Sequence, residues 1–325
     1  MPTTITIKEL YKPVAPQVEQ VRSAVGDLWV EALRLVHGPK LPAPTIGGKL
    51  LRPALCFLSA GAIGDKNLDR FVPLATAMEL LHLAALAHDD VIDSANMRRG
   101  ETSLNARWDN HTAVLGGDYL VARAIAVMGE YDSCAVIINA IDSVRQMAEG
   151  ELTTFGRGVN NLTEEGCLSL ARQKTASLFA VTCSTAAILV KNEPLQSLHR
   201  YGDALGIAFQ IVDDLLDLAQ SQETLGKPSC GDLVEGKRTI PILYMRDELD
   251  DAGKQRLDDM KGKKLTEDDK DWVSQTFQDT GAKDRTEALA RKYTQDARTA
   301  LEEIPDNPYR DAMLGLTEFV LVRAS

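Results

Sequence analysis

Two acidic strings, Asp89-Asp90-Val91-Ile92-Asp93 and Asp213-Asp214-Leu215-Leu216-Asp217, share a DDxxD spacing that occurs nowhere else in the chain. A shuffled chain of this composition would hold roughly 0.2 such patterns, so one copy is unremarkable and two are not. On a helix, positions i and i+4 share a face, which sets Asp89 beside Asp93 and Asp213 beside Asp217. Two like charges about 4 Å apart repel by about 4 kcal/mol at an effective dielectric of 20, so such a face calls for a cation. Oxygen-only ligands point to Mg²⁺, a hard ion that keeps waters and is commonly completed by substrate phosphate. Either string alone reads equally well as a solvated acidic face. The pair does not, because each lies in an apolar stretch of good helix formers, Leu80 to Ala87 before the first and Ile207 to Val212 before the second.

A ligand held by metals at both strings is a polyanion, and the nearby cations mark where its charges would lie. Arg98 and Arg99 follow the first string, Lys227 and Lys237 follow the second, and Lys174 stands beside Thr175 between them. Arg grips phosphate as a bidentate fork and Lys as a point charge. Gly47-Gly48-Lys49 lacks P-loop spacing and no dinucleotide fingerprint occurs, so the residues favour a magnesium-held diphosphate over a nucleotide triphosphate.

The elements that would position these groups are helices. The chain of 325 residues is 44% hydrophobic and 26% charged, with long stretches rich in Ala, Leu, Glu and Lys and few alternating β-branched runs, which predicts an all-α fold. No Ser/Gly-rich linker divides it, and two strings that must face each other require one bundle, so residues 1–325 are expected to form a single domain. Helices are predicted over Pro13 to His37, from near Pro53, over Asp69 to Asp93, Thr112 to Glu130, Ser133 to Phe155, Thr163 to Val190, Leu195 to Gln220, Lys237 to Asp250 and Tyr309 to Ala324. The last would carry Arg323 toward the active-site mouth. Ser94 to Gly100 and Gln222 to Glu235 read as loops. Between Asp250 and Glu303 the pairs Asp258-Asp259 and Asp268-Asp269 lack the fifth-position Asp and read as solvated outer faces.

A net charge of −11 argues against nucleic acid. Five cysteines without CxxC spacing suit a reduced compartment and a packing role. Met1 to Leu10 hold no apolar signal core and no stretch reads as a membrane span, so the expectation is a cytoplasmic protein without stable membrane insertion.

Taken in order, Gly48-Lys49-Leu50-Leu51-Arg52-Pro53, His82 seven residues before Asp89, Asp89 to Asp93 followed by Arg98-Arg99-Gly100, Lys174-Thr175, Phe209-Gln210 with Asp213 to Asp217, and Gly226-Lys227 through Asp232-Leu233 to Glu235-Gly236-Lys237 resemble the trans-polyprenyl diphosphate synthases. The motifs run from Gly47 to Leu243. The resemblance implies an isoprenoid-synthase-type helical bundle with a central active-site cavity, joining isopentenyl diphosphate head-to-tail to an allylic diphosphate. It implies three Mg²⁺ per site, with Asp89 and Asp93 on one side, Asp213 on the other, and Asp90, Asp214 and Asp217 as further ligands or groups behind them. Arg98, Lys174, Lys227 and Lys237 would neutralise the leaving diphosphate. Lys49, Arg52, His82 and Arg99 would hold isopentenyl diphosphate, and Thr175 and Gln210 would complete the allylic side. A homodimer with one site per subunit is also implied, its face offered by the apolar helices around Thr112 to Ala148. Ionisation of an allylic diphosphate needs preorganised positive charge and dry walls, and the departed diphosphate can take the final proton, so no Ser/His/Asp or Cys/His arrangement is required.

Without the motif, His82 reads as a core histidine, Lys49 and Arg52 as surface charges, and His88 as packing or helix-end compensation. Product length is expected to depend on the residues upstream of Asp89. Ala84 and Ala85 stand where short-product members of the family carry an aromatic plug, which favours products longer than farnesyl diphosphate. Leu81 would set a lower constriction, and the helix bearing Ala124, Ile125, Met128 and Tyr131 a floor. The alternatives are a geranylgeranyl diphosphate synthase and a non-catalytic, tunnel-shaping partner subunit. A terpene cyclase leaves Lys49, Arg52, His82 and Arg99 without a task, and a structural calcium or magnesium protein lacks EF-hand spacing.

Overall fold

The computed structural model describes residues 6–38, 47–98, 101–157, 163–190, 195–219, 230–237 and 239–323. The expected all-α architecture is present. A short helix α1 (Ile7–Tyr11), closed by a Thr6/Glu9 capping box, leads through a 3₁₀ turn into α2 (Ala15–His37). Then come α3 (Leu51–Ala62), α4 (Val72–Ile92), α5 (Leu104–Arg107), α6 (Asn110–Gly129), α7 (Cys134–Arg157), α8 (Glu164–Ala171), α9 (Ser177–Val190) and α10 (Leu195–Ala219). After them lie α11 (Gly231–Glu235), α12 (Ile240–Asp247), α13 (Asp251–Asp258), α14 (Glu267–Asp279), α15 (Ala282–Ala300) and α16 (Pro308–Val322). Polar side chains start several of these helices: Asp109, Thr163 and Asp250 each accept a backbone N–H three residues on, and Thr266 forms a capping box with Asp269.

Three local features depart from the sequence expectation. Residues Met97–Arg98 and Glu101–Thr102 pair as a two-rung antiparallel hairpin, a short extended excursion where a plain loop was expected. The predicted helix Thr163 to Val190 contains a five-residue π-helical turn, Arg172–Ala176, between α8 and α9. The end of the predicted loop Gln222 to Glu235 is helical as α11, introduced by Cys230 in the left-handed region at φ 59°.

The chain divides into two compact units, one of Met1–Val144, Leu178–Gly202 and Ala300–Leu316, the other of Arg145–Ser177, Asp203–Thr299 and Thr317–Ser325. In the first, Phe57, Phe71, Phe179, Met78 and Tyr201 are fully buried, and the Tyr201 hydroxyl donates to Met313 O at 2.8 Å. In the second, Leu215 and Leu218 of α10 pack with Cys230, Leu233, Ile240, Met245, Val273 and Phe277. The charged helices α13 to α15 thus bury only narrow apolar stripes, as their composition required.

Within the first unit, α4 and α6 lie side by side. His88 Nε2 lies 3.1 Å from Val114 O near one end, and Tyr131, which donates to Arg70 O at 2.7 Å and accepts from Leu74 N at 3.0 Å, closes the other. These contacts make the two helices antiparallel. Gly117 permits the approach, since a Cβ there would sit 2.3 Å from His88 Nε2. The buried stripe of α6, Ala113, Gly117, Leu120, Ala124 and Met128, is small at several positions for the same reason.

The expectation about membrane-length segments is corrected. Leu68–Ile92, Asn110–Gly129 and Glu164–Val190 are each long and apolar enough to cross a membrane by length and composition. The first and third spend that apolarity on packing, their most apolar windows being 61% and 67% buried, whereas that of Asn110–Gly129 is only 33% buried. All five cysteines are free thiols; Cys56, Cys167, Cys183 and Cys230 are buried, in keeping with the expected packing role, and burial pushes Cys183 up to about 12, whereas Cys134 is exposed at the start of α7 and does not fit that role.

The tightest backbone approach yields a test. A Cβ on Gly202 of α10 would lie 2.6 Å from both Ala180 Cα and Phe179 O, neither of which can swing aside. Gly202→Ala is expected to lower the unfolding free energy by about 1–3 kcal/mol, read by chemical denaturation. An unchanged midpoint would show that the α9–α10 approach is looser than described.

Candidate active site

In the first unit the acidic string is the last turn of α4. Asp93 caps the helix, its N–H donating to Asp89 O at 2.8 Å, so the i, i+4 relation expected from the spacing is made. Asp89 is half-buried and Asp93 exposed. Both stand at the negative end of a helix dipole, which adds to the demand for a cation. Asp90 points another way. It is 4% exposed, and one of its oxygens accepts Nε and Nη2 of Arg98 at 2.8 and 2.5 Å. The hairpin turns Arg98 back onto the helix for this contact, and Asn105 Nδ2 reaches Asp90 O at 3.1 Å. Asp90 thus braces Arg98, an assignment that spacing could not make.

The other residues expected on this unit are distributed along its helices. His82 is half-buried on the stripe that carries Asp89, two turns or about 10 Å earlier. Arg52 opens α3 with its guanidinium over the Phe179 ring, 4.7 Å from the centroid. Lys49 is exposed and precedes Leu50, a buried residue held at φ 47°. A left-handed leucine costs roughly 1–2 kcal/mol, and strain of this kind marks a segment whose backbone path is imposed by its surroundings. Arg99 lies outside the described residues.

In the second unit, Lys174 and Thr175 sit on the π-helical turn, a distortion frequent at functional sites because it re-aims side chains. The Thr175 hydroxyl donates to Gln210 Oε1 at 2.6 Å, and Gln210 Nε2 donates to Asp214 Oδ1 at 2.7 Å. This relay fixes the orientation of the Gln210 amide. Lys174 pairs with Glu151 of α7, a residue that sequence reasoning missed and that only the close approach of α7 through Gly150 reveals.

The second acidic string differs from the first because α10 runs on to Ala219. Asp217 is 1% exposed and accepts the Asp232 N–H at 3.0 Å, while its carbonyl accepts Cys230 N–H at 2.8 Å. It anchors the start of α11. Asp213, 38% exposed, accepts Arg323 Nη2 at 2.7 Å. Asp214 is buried, and its carboxyl is raised well above the ordinary range by burial first, then by Asp232, with Asp213 and Asp217 adding to the rise and the Gln210 hydrogen bond opposing it. Lys237 pairs with Glu235 at 2.5 Å. Lys227 lies outside the described residues.

These donor sets fit a hard divalent cation. They are carboxylate oxygens alone, and Asp232, Asp213 and Asp217 stand close enough to Asp214 to raise its carboxyl. Among the described residues no three His, Cys, Asp or Glu side chains converge into a ready-made cage, as suits an ion that keeps waters and takes oxygens from a phosphate ligand. The raised carboxyl also ties stability to pH. A carboxyl raised in the folded state contributes stability below its ordinary range near pH 4 and loses it as pH rises toward the raised value. A bound cation offsets that loss by compensating the ionised form. The gain in Tm on replacing EDTA by Mg²⁺ is therefore expected to be larger at pH 7.5 than at pH 5.0, and equal gains would remove the metal from the Asp214 cluster.

Comparison with known proteins bears on this geometry. Residues 42–278 match the model of the polyprenyl synthetase family. The chain is 34% identical to an all-trans-nonaprenyl-diphosphate synthase (geranyl-diphosphate specific) of Rhodobacter capsulatus, over 97% of this chain and 98% of that one. It is 32% identical to a short chain isoprenyl diphosphate synthase of Methanothermobacter thermautotrophicus, over 94% of each. The crystal structure of a polyprenyl synthase from Caulobacter crescentus, complexed with calcium and isoprenyl diphosphate, superimposes with a TM-score of 0.89 at 31% identity over the full length of both chains. A divalent cation and an isoprenyl diphosphate thus occur together on the same fold. With its acidic strings, π-borne Lys-Thr pair and helical architecture, the chain belongs to the polyprenyl synthetase family and is a prenyltransferase.

Proposed function

We propose that this prenyltransferase condenses isopentenyl diphosphate with an allylic diphosphate, using Mg²⁺, to make a trans-polyprenyl diphosphate longer than farnesyl. The observation that carries the reading is the division of labour within each string. Asp89 is half-buried and Asp93 exposed while Asp90 holds Arg98; Asp213 lies partly exposed while Asp214 and Asp217 are buried in hydrogen bonds. Asp89, Asp93 and Asp213 are the metal ligands in this reading. The other three aspartates position what surrounds them.

Magnesium supplies stabilisation of the charge that grows on the leaving diphosphate. Arg98, braced by Asp90, and Lys174, on its π turn, add fixed positive charge that needs no reorganisation when the bond breaks. Thr175 turns the Gln210 amide so that its nitrogen faces Asp214, leaving oxygen lone pairs of Thr175 and Gln210 as the negative ends of dipoles toward an allylic cation. Lys49, Arg52, His82 and Arg99 hold the isopentenyl diphosphate, and Lys227 and Lys237 serve the allylic diphosphate. Thr175→Val keeps the shape and removes the donor to Gln210, so kcat is expected to fall about tenfold or more while the fold survives. A variant with unchanged kcat would sink the relay.

Product length rests on α4. Successive residues are turned 100° on a helix, so Ala85 lies within about 40° of Asp89 and Ala84 about 140° away. Ala85 is half-buried on the Asp89–His82 stripe, whereas Ala84 is 1% exposed on a packed face. Leu81 is also buried, about 12 Å before Asp89. Small residues at both positions, with the likeness to a nonaprenyl synthase, support the longer product. The likeness to a short chain synthase supports a second reading, in which elongation stops earlier. Phenylalanine at either position is expected to shorten the product, Ala84→Phe with an added stability cost of about 1–3 kcal/mol and Ala85→Phe with little. An unchanged product distribution in both folded variants would remove α4 from length control.

A homodimer is part of the proposal, supported by Val114, Leu115 and Ile138, which leave apolar side chains of α6 and α7 exposed. Cytoplasmic placement is supported by the five free thiols. The deciding experiment is turnover of labelled isopentenyl diphosphate with geranyl, farnesyl or geranylgeranyl diphosphate, with Mg²⁺ or EDTA, and separation of products by chain length. Metal-dependent elongation past C15 is the expected result. Failure to elongate any primer would leave a partner-dependent subunit.

A further inference from the structure

Arg323 stands at the end of α16 and reaches 110 positions back along the chain to Asp213, donating Nη2 to Oδ1 at 2.7 Å. Its guanidinium lies over Phe209, 4.8 Å from the ring centroid and one helical turn before Asp213. The side chain is 23% exposed, and its Nη1 is buried without a hydrogen-bond partner among the described residues. The preceding turns of α16 are held independently, since Arg298 of α15 donates to Thr317 Oγ1 and Glu318 Oε1, both at 3.2 Å. The end of the helix can therefore shift without undocking the rest.

We propose that Arg323 is a resident counter-ion of Asp213 that a divalent cation must displace in order to bind, so that metal arrival releases the end of α16 from α10. The inference rests on Asp213 being a metal ligand. Mg²⁺ sits about 2.0–2.1 Å from a carboxylate oxygen. An oxygen already holding a guanidinium cannot take the ion without pressing two positive centres together. Stacking on Phe209 keeps the displaced guanidinium close, with its donors turned to other acceptors. Binding is reciprocal: whatever Arg323 subtracts from metal affinity, the metal subtracts from the Arg323 contact.

The test uses Mn²⁺ as a spectroscopic substitute for Mg²⁺ and the full chain without substrate, with binding followed by electron paramagnetic resonance and calorimetry. Arg323→Gln is expected to bind Mn²⁺ about threefold or more tightly than the parent, and Arg323→Lys to fall between them. A second readout does not involve turnover: Mn²⁺ should hasten tryptic cleavage of the Arg323–Ala324 bond in the parent but not in Asp213→Asn. If Asp213→Asn weakens Mn²⁺ binding while Arg323→Gln leaves it unchanged or weaker, Asp213 is a ligand and the competition is overturned. If Asp213→Asn binds Mn²⁺ as the parent does, the ligand assignment falls and the proposal with it.

Discussion

Negative charge gathered on apolar helices is the constraint to which each unit answers. A carboxylate drawn out of water is costly unless it is paired or hydrogen-bonded, and the two DDxxD strings bring six of them. The protein meets part of that demand itself. Arg98 forks onto Asp90, the Gln210 amide reaches Asp214, and the start of α11 is folded over Asp217. The hairpin, the π turn and the left-handed Cys230 can each be read as backbone bent to deliver one of these partners. Around Asp214 burial comes first and the neighbouring carboxylates of Asp232, Asp213 and Asp217 second in raising its carboxyl.

Identical spacing therefore leads to unlike local structures. In the first string the helix stops at Ile92, so the fifth residue, Asp93, becomes a cap and stays exposed. In the second the helix continues for two residues past Asp217, and the carboxylate is enclosed beneath α11. Helix termination, decided by the residues downstream of each motif, converts an exposed carboxylate into an enclosed one. Periodicity placed five of the six aspartates on helices, with Asp93 as the cap of the first. It could not say which were covered, because coverage comes from Arg98 and Asn105 in the first string and from residues 230 to 235 in the second folding back.

The same distinction explains what was legible elsewhere. Long amphipathic runs declared themselves, and α2, α6, α7, α10 and α16 lie within a few residues of their predicted limits. The π turn carried no composition signal, since Arg-Gln-Lys-Thr-Ala is ordinary helical sequence. Glu151 carries no signal of its own in the sequence; its pairing with Lys174 depends on Gly150, which lets α7 approach. Leu68–Ile92 and Glu164–Val190 have the length and apolarity of a membrane span, which composition alone does not separate from a core helix. In the fold these are core helices, and apolar all round is the pattern such burial demands.

The seam between α4 and α6 shows how such a framework can make length a tunable property. Its register is pinned near the acidic string by His88 against Val114 and Gly117, and at the other end by Tyr131 against Leu74 and Arg70. Leu74 lies fifteen residues before Asp89, so the pinned interval is about 22 Å long. Between the pins the buried α6 stripe includes Ala124 and Met128, the very positions expected to floor a tunnel, and both are fully buried. With both ends fixed, enlarging one side chain cannot be absorbed by sliding one helix past the other. It must fill space or push locally, and close-packed interiors resist the second. In the proposed reading, a change in bulk along α4 alters the room available at that level and leaves the turn bearing Asp89 where it was, so one set of site residues could serve products of different length.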